Sequence, residues 1–205
     1  QEVRLFKNMT IKEHLEIALS QKDESVIDSL LKKELKQENK MKEIKVAKVT
    51  LNIGVGKNED MLKKGLKLLK KLSPVAPVKT ITQKRIPTWA LRPGLAIGCK
   101  ATVRKGATEL LKRLLVAKSN TLSEKNFDNG GNFSFGVPEY IDIEGLEYDP
   151  ELKIMGLEVA VTLERPGYRV KRRKLSKTAL GKKHQVTKQE AIDFVKKLGI
   201  EVESQ

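Results

Sequence analysis

An α+β fold, with helices packed on one face of an antiparallel or mixed sheet and a helical N-terminal arm in front, is predicted by three features of this 205-residue chain. Several segments alternate apolar and polar residues with the period of half-buried strands. Between and after them leucines recur with the period of amphipathic helices. Residues 1–40 differ from both in charge and composition.

That first stretch holds eight basic and eight acidic residues and no Gly or Pro. Ile11, Leu15, Ala18 and Leu19, then Val26, Ile27, Leu30, Leu31 and Leu35, predict two short amphipathic helices broken near 20–25. The pattern changes at Met41, which divides the chain into an arm, 1–40, and a single α+β domain, 41–205. From Ile44 the period becomes two, with Val49, Leu51 and Ile53 on one face and Lys48, Thr50 and Asn52 on the other. After Gly54-Val55-Gly56 a helix follows: Asn58 caps it, Glu59 and Asp60 suit its positive first turn, and Leu62, Leu66, Leu69 and Leu72 form its stripe. Pro74 and Pro77 end it.

A second strand is expected over 78–86, then a loop, PTWALRPGL, then a third strand over 97–104. Ile97, Cys99, Ala101 and Val103 share its apolar face; Lys100, Thr102 and Arg104 share the other. A leucine-rich helix is expected over 108–117, and the Gly-rich, aromatic stretch 127–145 suits a hairpin or ordered loop. Leu157, Val159, Val161 and Leu163 alternate as a last strand. Pro166-Gly167 then turns the chain into a basic segment, 165–184, and Thr187 with Glu190 forms a capping box for a C-terminal helix stopped by Gly199.

Composition excludes several kinds of chemistry. The one cysteine, Cys99, lies on an apolar strand face and reads as a core thiol, so there is no disulfide framework and no Cys-based metal site. His14 and His184 stand far apart, and His184, beside Lys182 and Lys183, reads as a phosphate contact or a solvated side chain. Gly54-x-Gly56 begins a dinucleotide fingerprint, but Glu59 replaces its third glycine and Ala76 stands where the ribose-binding acid belongs. Asp128 to Phe133 lacks the ligand spacing of a calcium loop. No catalytic set, metal or cofactor is expected. No run reaches the ~20 apolar residues of a membrane span, and QEVRLFKNMT lacks the apolar stretch of a signal peptide, so the expectation is a cytoplasmic protein without a membrane partner.

Charge is sorted into blocks. Residues 61–105 carry twelve Lys or Arg and no acid, 120–164 carry ten acids against two bases, and 165–184 carry nine bases and no acid. With a net charge of +15, this points to a polyanion on one face and a basic partner on another. The outward faces of the first and third strands, Lys48, Thr50, Asn52 and Lys100, Thr102, Arg104, mix cations with short hydrogen-bonding side chains, as RNA backbones and base edges require. Trp89, in a loop between Arg85 and Arg92, reads either as a stacking platform for a base or ribose or as a cap on the core.

The motifs KVTLNIGVG at 48–56, PVKTITQKRIPTWALRPGLAIGCKATVR at 77–104, FDNGGNFSFGVPEYIDI at 127–143 and ERPGYRVKRRK at 164–174 together resemble the 5S-rRNA-binding large-subunit ribosomal proteins of the L-five family, in their archaeal and eukaryotic form. The resemblance covers roughly 41–198 and leaves the arm outside. It implies a non-enzymatic constituent of the large subunit that binds 5S rRNA at the central protuberance through the polar face of its sheet, with neighbouring 5S-binding proteins beside it. Asn52, Trp89 and Thr102 match positions of RNA contact. The resemblance further implies that the loop 85–98 reaches toward P-site tRNA and that the acidic segment 120–164 meets a basic small-subunit head protein in an intersubunit bridge. The full set of expected RNA contacts is Lys48, Asn52, Lys84, Arg85, Trp89, Arg92, Lys100, Thr102 and Arg104, with Arg169, Lys171, Arg172, Arg173 and Lys174 neutralising large-subunit rRNA. Ser73-Pro74-Val75-Ala76-Pro77 departs from the family's TGQKP-like turn, so Val75 replaces a Gln associated with RNA. A free ribosome-assembly factor using the same face is the alternative.

Overall fold

The computed structural model describes residues 39–203. Of its two units, 1–43 and 44–205, the second carries the fold; the two predicted helices of the arm lie outside the described residues. Five strands form one antiparallel sheet: β1 (Lys45–Gly54), β2 (Val78–Ile81), β3 (Ala96–Val103), β5 (Phe133–Val137) and β6 (Leu157–Glu164), in the order β2-β3-β1-β6-β5. The first strand of the unit is thus its centre. β4 (Thr121–Ser123) and β7 (Glu201–Glu203) form a separate parallel pair.

One face of the sheet is the core. Val49, Leu51 and Ile53 of β1, Cys99, Ala101 and Val103 of β3, Val159 and Val161 of β6 and Phe133 and Phe135 of β5 are all buried there. α1 (Glu59–Leu72) packs on β3, and α2 (Ala107–Val116) packs on β1. The Asn58 side chain accepts the Asp60 and Met61 N–H groups at 3.1 and 3.3 Å, supplying the predicted cap. α1 buries Leu62, Gly65, Leu68, Leu69 and Leu72, so Leu66 is at the margin of the expected stripe and Leu68 at its centre. Gly65 lets the helix approach β3: a Cβ there would lie 2.9 Å from Cys99 Sγ.

Boundaries shift where local signals are weak. The second strand ends at Ile81, one residue past a register irregularity between Thr80 and Ile81, because Thr82 takes its backbone bonds from Leu95 and Gly94 of the following loop. A bulge between Val46 and Lys48 also interrupts the pairing of β1 with β6. It lets Ile44 and Val46 pack against the core although Lys48, Thr50 and Asn52 point the other way. At the C-terminal end, α3 (Arg169–Arg172) is a single turn within the basic segment, and α4 (Lys188–Lys197) begins with the predicted capping box. β6 is not the last strand, since Gly199, at φ 85°, turns the chain into β7.

Candidate nucleic-acid interface

The helices cover one face, so the side chains of the other stand open in rows fixed by strand register. One row runs Val78, Lys100, Asn52, Glu158, Gly136 across β2, β3, β1, β6 and β5; the next runs Thr102, Thr50, Ala160, Ser134. Lys100, Glu158, Ala160, Ser134 and Gly136 are exposed, and Thr50, Asn52 and Thr102 half-buried. Thus Lys48, Asn52, Lys100 and Thr102 do share one surface. Its floor of Thr, Ser, Ala and Gly lets a sugar-phosphate chain come close to the backbone. Arg104, just past the end of β3, is exposed.

Asn52 Nδ2 donates to Glu158 Oε2 at 3.0 Å. The carboxylate only accepts, which orients the amide and leaves Oδ1 and the second N–H for a ligand. Glu158 was not among the residues expected at this face.

The connection from β2 to β3 leaves the sheet at the Ile81–Ala96 pair, past the Gly98–Gly54 pair and so beyond Asn52 and Lys100. It is pinned twice. Thr82 N–H donates to Leu95 O at 2.9 Å and Gly94 N–H to Thr82 O at 2.9 Å, while Ile86 and Leu91 exchange backbone bonds of 3.2 and 3.0 Å. Pro93 and Gly94, with φ 87° at the glycine, close a turn between Arg92 and Leu95. Leu91 is the buried anchor of the loop, whereas Trp89 is 69% exposed and caps no core. Lys84, Arg85 and Arg92 are exposed around it. The departing turn 73–77 is closed by Ser73 Oγ, which accepts Val75 N–H at 3.1 Å, and Val75 is exposed.

The basic segment loops back on itself. Arg165 is buried and pairs with Glu190 at 2.6 Å. Tyr168 Oη accepts Val186 N–H at 3.0 Å and donates to the His184 carbonyl at 3.3 Å. His184 Nε2 bonds the Pro166 carbonyl at 2.8 Å against the Tyr168 ring, so it is a structural staple and not a freely solvated side chain. Arg169, Lys171, Arg173 and Lys174 remain exposed; Arg172 is ion-paired with Glu164.

The charge blocks also meet each other. Lys71 pairs with Asp149 at 2.7 Å, and Lys67 reaches both Asp149, at 3.6 Å, and Glu151. The Lys71 hydrogen bond, with the Glu151 backbone N–H, holds the Asp149 carboxyl below the usual range. Glu124 is taken by Lys188 at 2.7 Å, which lowers its carboxyl likewise. Among the described residues Glu139, Asp142, Glu144 and Glu147 form no ion pair, so the densest run of open acids in the block is 139–147. Buried Tyr140 pins it by accepting Asp149 N–H at 2.9 Å.

Two family models match the chain, "Ribosomal protein L5" over 39–92 and "ribosomal L5P family C-terminus" over 96–194. The large ribosomal subunit protein uL5 of Sulfolobus acidocaldarius is 46% identical over 164 residues, covering 80% of this chain and 92% of that protein. The protein of the same name from Nanoarchaeum equitans is 46% identical over 168 residues, covering 80% and 99%. That of Methanococcus vannielii is 44% identical over 174 residues, covering 82% and 96%.

Proposed function

Because the chain belongs to the ribosomal protein L5 family, a family of non-enzymatic constituents of the large ribosomal subunit, we propose that its open sheet face binds 5S rRNA. The observation that carries this is the uncovered polar face, where Lys100 and Lys48 flank Asn52, Thr50 and Thr102 over a floor of small residues. Cations there neutralise phosphates, and hydroxyl and amide groups serve 2′-hydroxyls and base edges. The loop 82–95 extends this surface with Trp89, an exposed ring between cations, toward a base of RNA or of P-site tRNA. Arg104 and the exposed bases of 169–174 neutralise large-subunit rRNA at the other end of β1. The acids at 139–147 suit a basic small-subunit partner, and neighbouring 5S-binding proteins share the same RNA.

The test is a gel-shift titration of 5S rRNA and of a tRNA across a salt series, with Lys100→Ala and Thr102→Ala beside wild type. Wild type is expected to prefer 5S rRNA. Lys100→Ala should reduce the log–log salt slope by about 0.7 to 0.9, the share of one phosphate contact. Thr102→Ala should weaken 5S binding about fivefold with the slope unchanged, as loss of one neutral hydrogen bond does. Equal wild-type affinity for both RNAs at every salt would overturn the reading.

A further inference from the structure

One acid stands in the middle of this cationic face. Glu158 projects from β6 beside Asn52, is exposed, and among the described residues forms no ion pair. A surface meant only to hold phosphates gains nothing from a carboxylate there, because like charges repel. The row Lys100, Asn52, Glu158 therefore grades from cation through amide to anion across three adjacent strands.

Beside Glu158 the surface opens. Gly136 is its register partner on β5, and a Cβ at Gly136 or Gly54 would meet nothing within 4 Å. The hollow there, lined by Asn52, Gly54, Lys118, Gly136, Gly156 and Glu158, measures about 460 Å³, within the range of small-ligand sites. Its chemistry is selective. A carboxylate accepts hydrogen bonds and donates none, so it rejects phosphate oxygens and suits N–H and O–H groups.

We propose that Glu158 is the specificity-determining residue of the face. It accepts hydrogen bonds from neutral donors of an unpaired nucleotide seated in the hollow, either the N1–H and N2–H of a guanine edge or a ribose 2′-hydroxyl. An RNA backbone brought against the Glu158 carboxylate itself meets repulsion. The proposal rests on the sheet face being the 5S rRNA site.

The experiment compares the full chain with Glu158→Gln and Glu158→Ala against 5S rRNA and tRNA by gel shift. Glu158 is exposed, so equal melting temperatures are expected of all three. Gln keeps an oxygen for the Asn52 N–H but loses the charge and turns the other oxygen into a donor. If Glu158 only positions Asn52, the Gln variant keeps the wild-type ratio of 5S to tRNA affinity, and the proposal is overturned. The expected result is a loss of about tenfold in that ratio for both variants, the worth of a bidentate base contact, with tRNA binding tightened at low salt. The donor is then identified with 5S transcripts sparsely substituted by inosine or by 2′-deoxynucleotides, bound and free fractions being compared. Interference by inosine with wild type but not with Glu158→Gln assigns the base, and interference by deoxy substitution assigns the ribose. If interference at every position is the same for the two proteins, the proposal is overturned. A wild type without 5S preference overturns the 5S reading itself, in an arm that does not depend on Glu158.

Discussion

Two glycines paired in register show how differently neighbouring residues carry the site. A Cβ on Gly98 would lie 2.6 Å from the Ile53 carbonyl oxygen and 3.0 Å from Thr80 Oγ1, whereas one on Gly54 meets nothing. Gly98→Ala is therefore expected to cost about 2 kcal/mol through overpacking against backbone, and Gly54→Ala to stay within about 0.5 kcal/mol, both read from urea unfolding. Equal effects would mean that β3 does not approach β1 as described. Cys99, on the other face, was legible in the sequence because strand parity alone fixes its side. Burial pushes its thiol up to about 11, so it stays protonated and serves as packing. Glu158 was not legible. Its bond to Asn52 joins residues 106 positions apart, and nothing local in either strand states their register.

The capping box of α4 is tied to the basic segment through one carboxylate, which gives that helix a pH dependence. Burial raises the Glu190 carboxyl, but the Thr187 backbone N–H and the Arg165 guanidinium outweigh it and hold the group below its ordinary range. A carboxyl lowered by folding stabilises the fold above its unfolded value of about 4.3, and that contribution is lost as pH falls through the folded value. Glu190→Gln should thus melt lower than wild type at about pH 6, with the gap closing below about pH 4. Thr187→Ala should cost about 1 kcal/mol at neutral pH. A gap independent of pH would show that Glu190 acts through packing alone. This helix was legible from Thr187, Glu190 and Gly199, since caps are local chemistry. β4 and β7 were not, because three residues carry no period. Nor was the early end of β2, where Thr82 turns its bonds to Leu95 in place of a neighbouring strand.

Across the unit that begins at Ile44, charge sorted in sequence is only partly sorted in space. Lys67 and Lys71 neutralise Asp149 and Glu151, so part of each block is spent inside the protein and the surfaces left for partners are smaller than the sequence blocks. Such exposed pairs contribute little stability, about 0 to 1 kcal/mol each, and their larger effect is to leave the polar sheet face and the acids at 139–147 as separate fields. The strand order has a different consequence, which concerns time. β1 is central, and Lys45 pairs with Glu164. During synthesis the middle of the sheet emerges first, then waits for β3, and then for β6, while loop-closure entropy opposes each pairing. A chain ending at Gly156 keeps all of β1, β2 and β3, yet is expected to show no cooperative melting and no preference for 5S rRNA; a sharp transition would refute this. Until β6 arrives, β1 lacks its neighbour on one edge and the core lacks the buried side chains of Leu157, Val159, Val161 and Leu163, in a nascent chain already rich in lysine. Such a chain gains from being held by another molecule in the interval between β1 and β6.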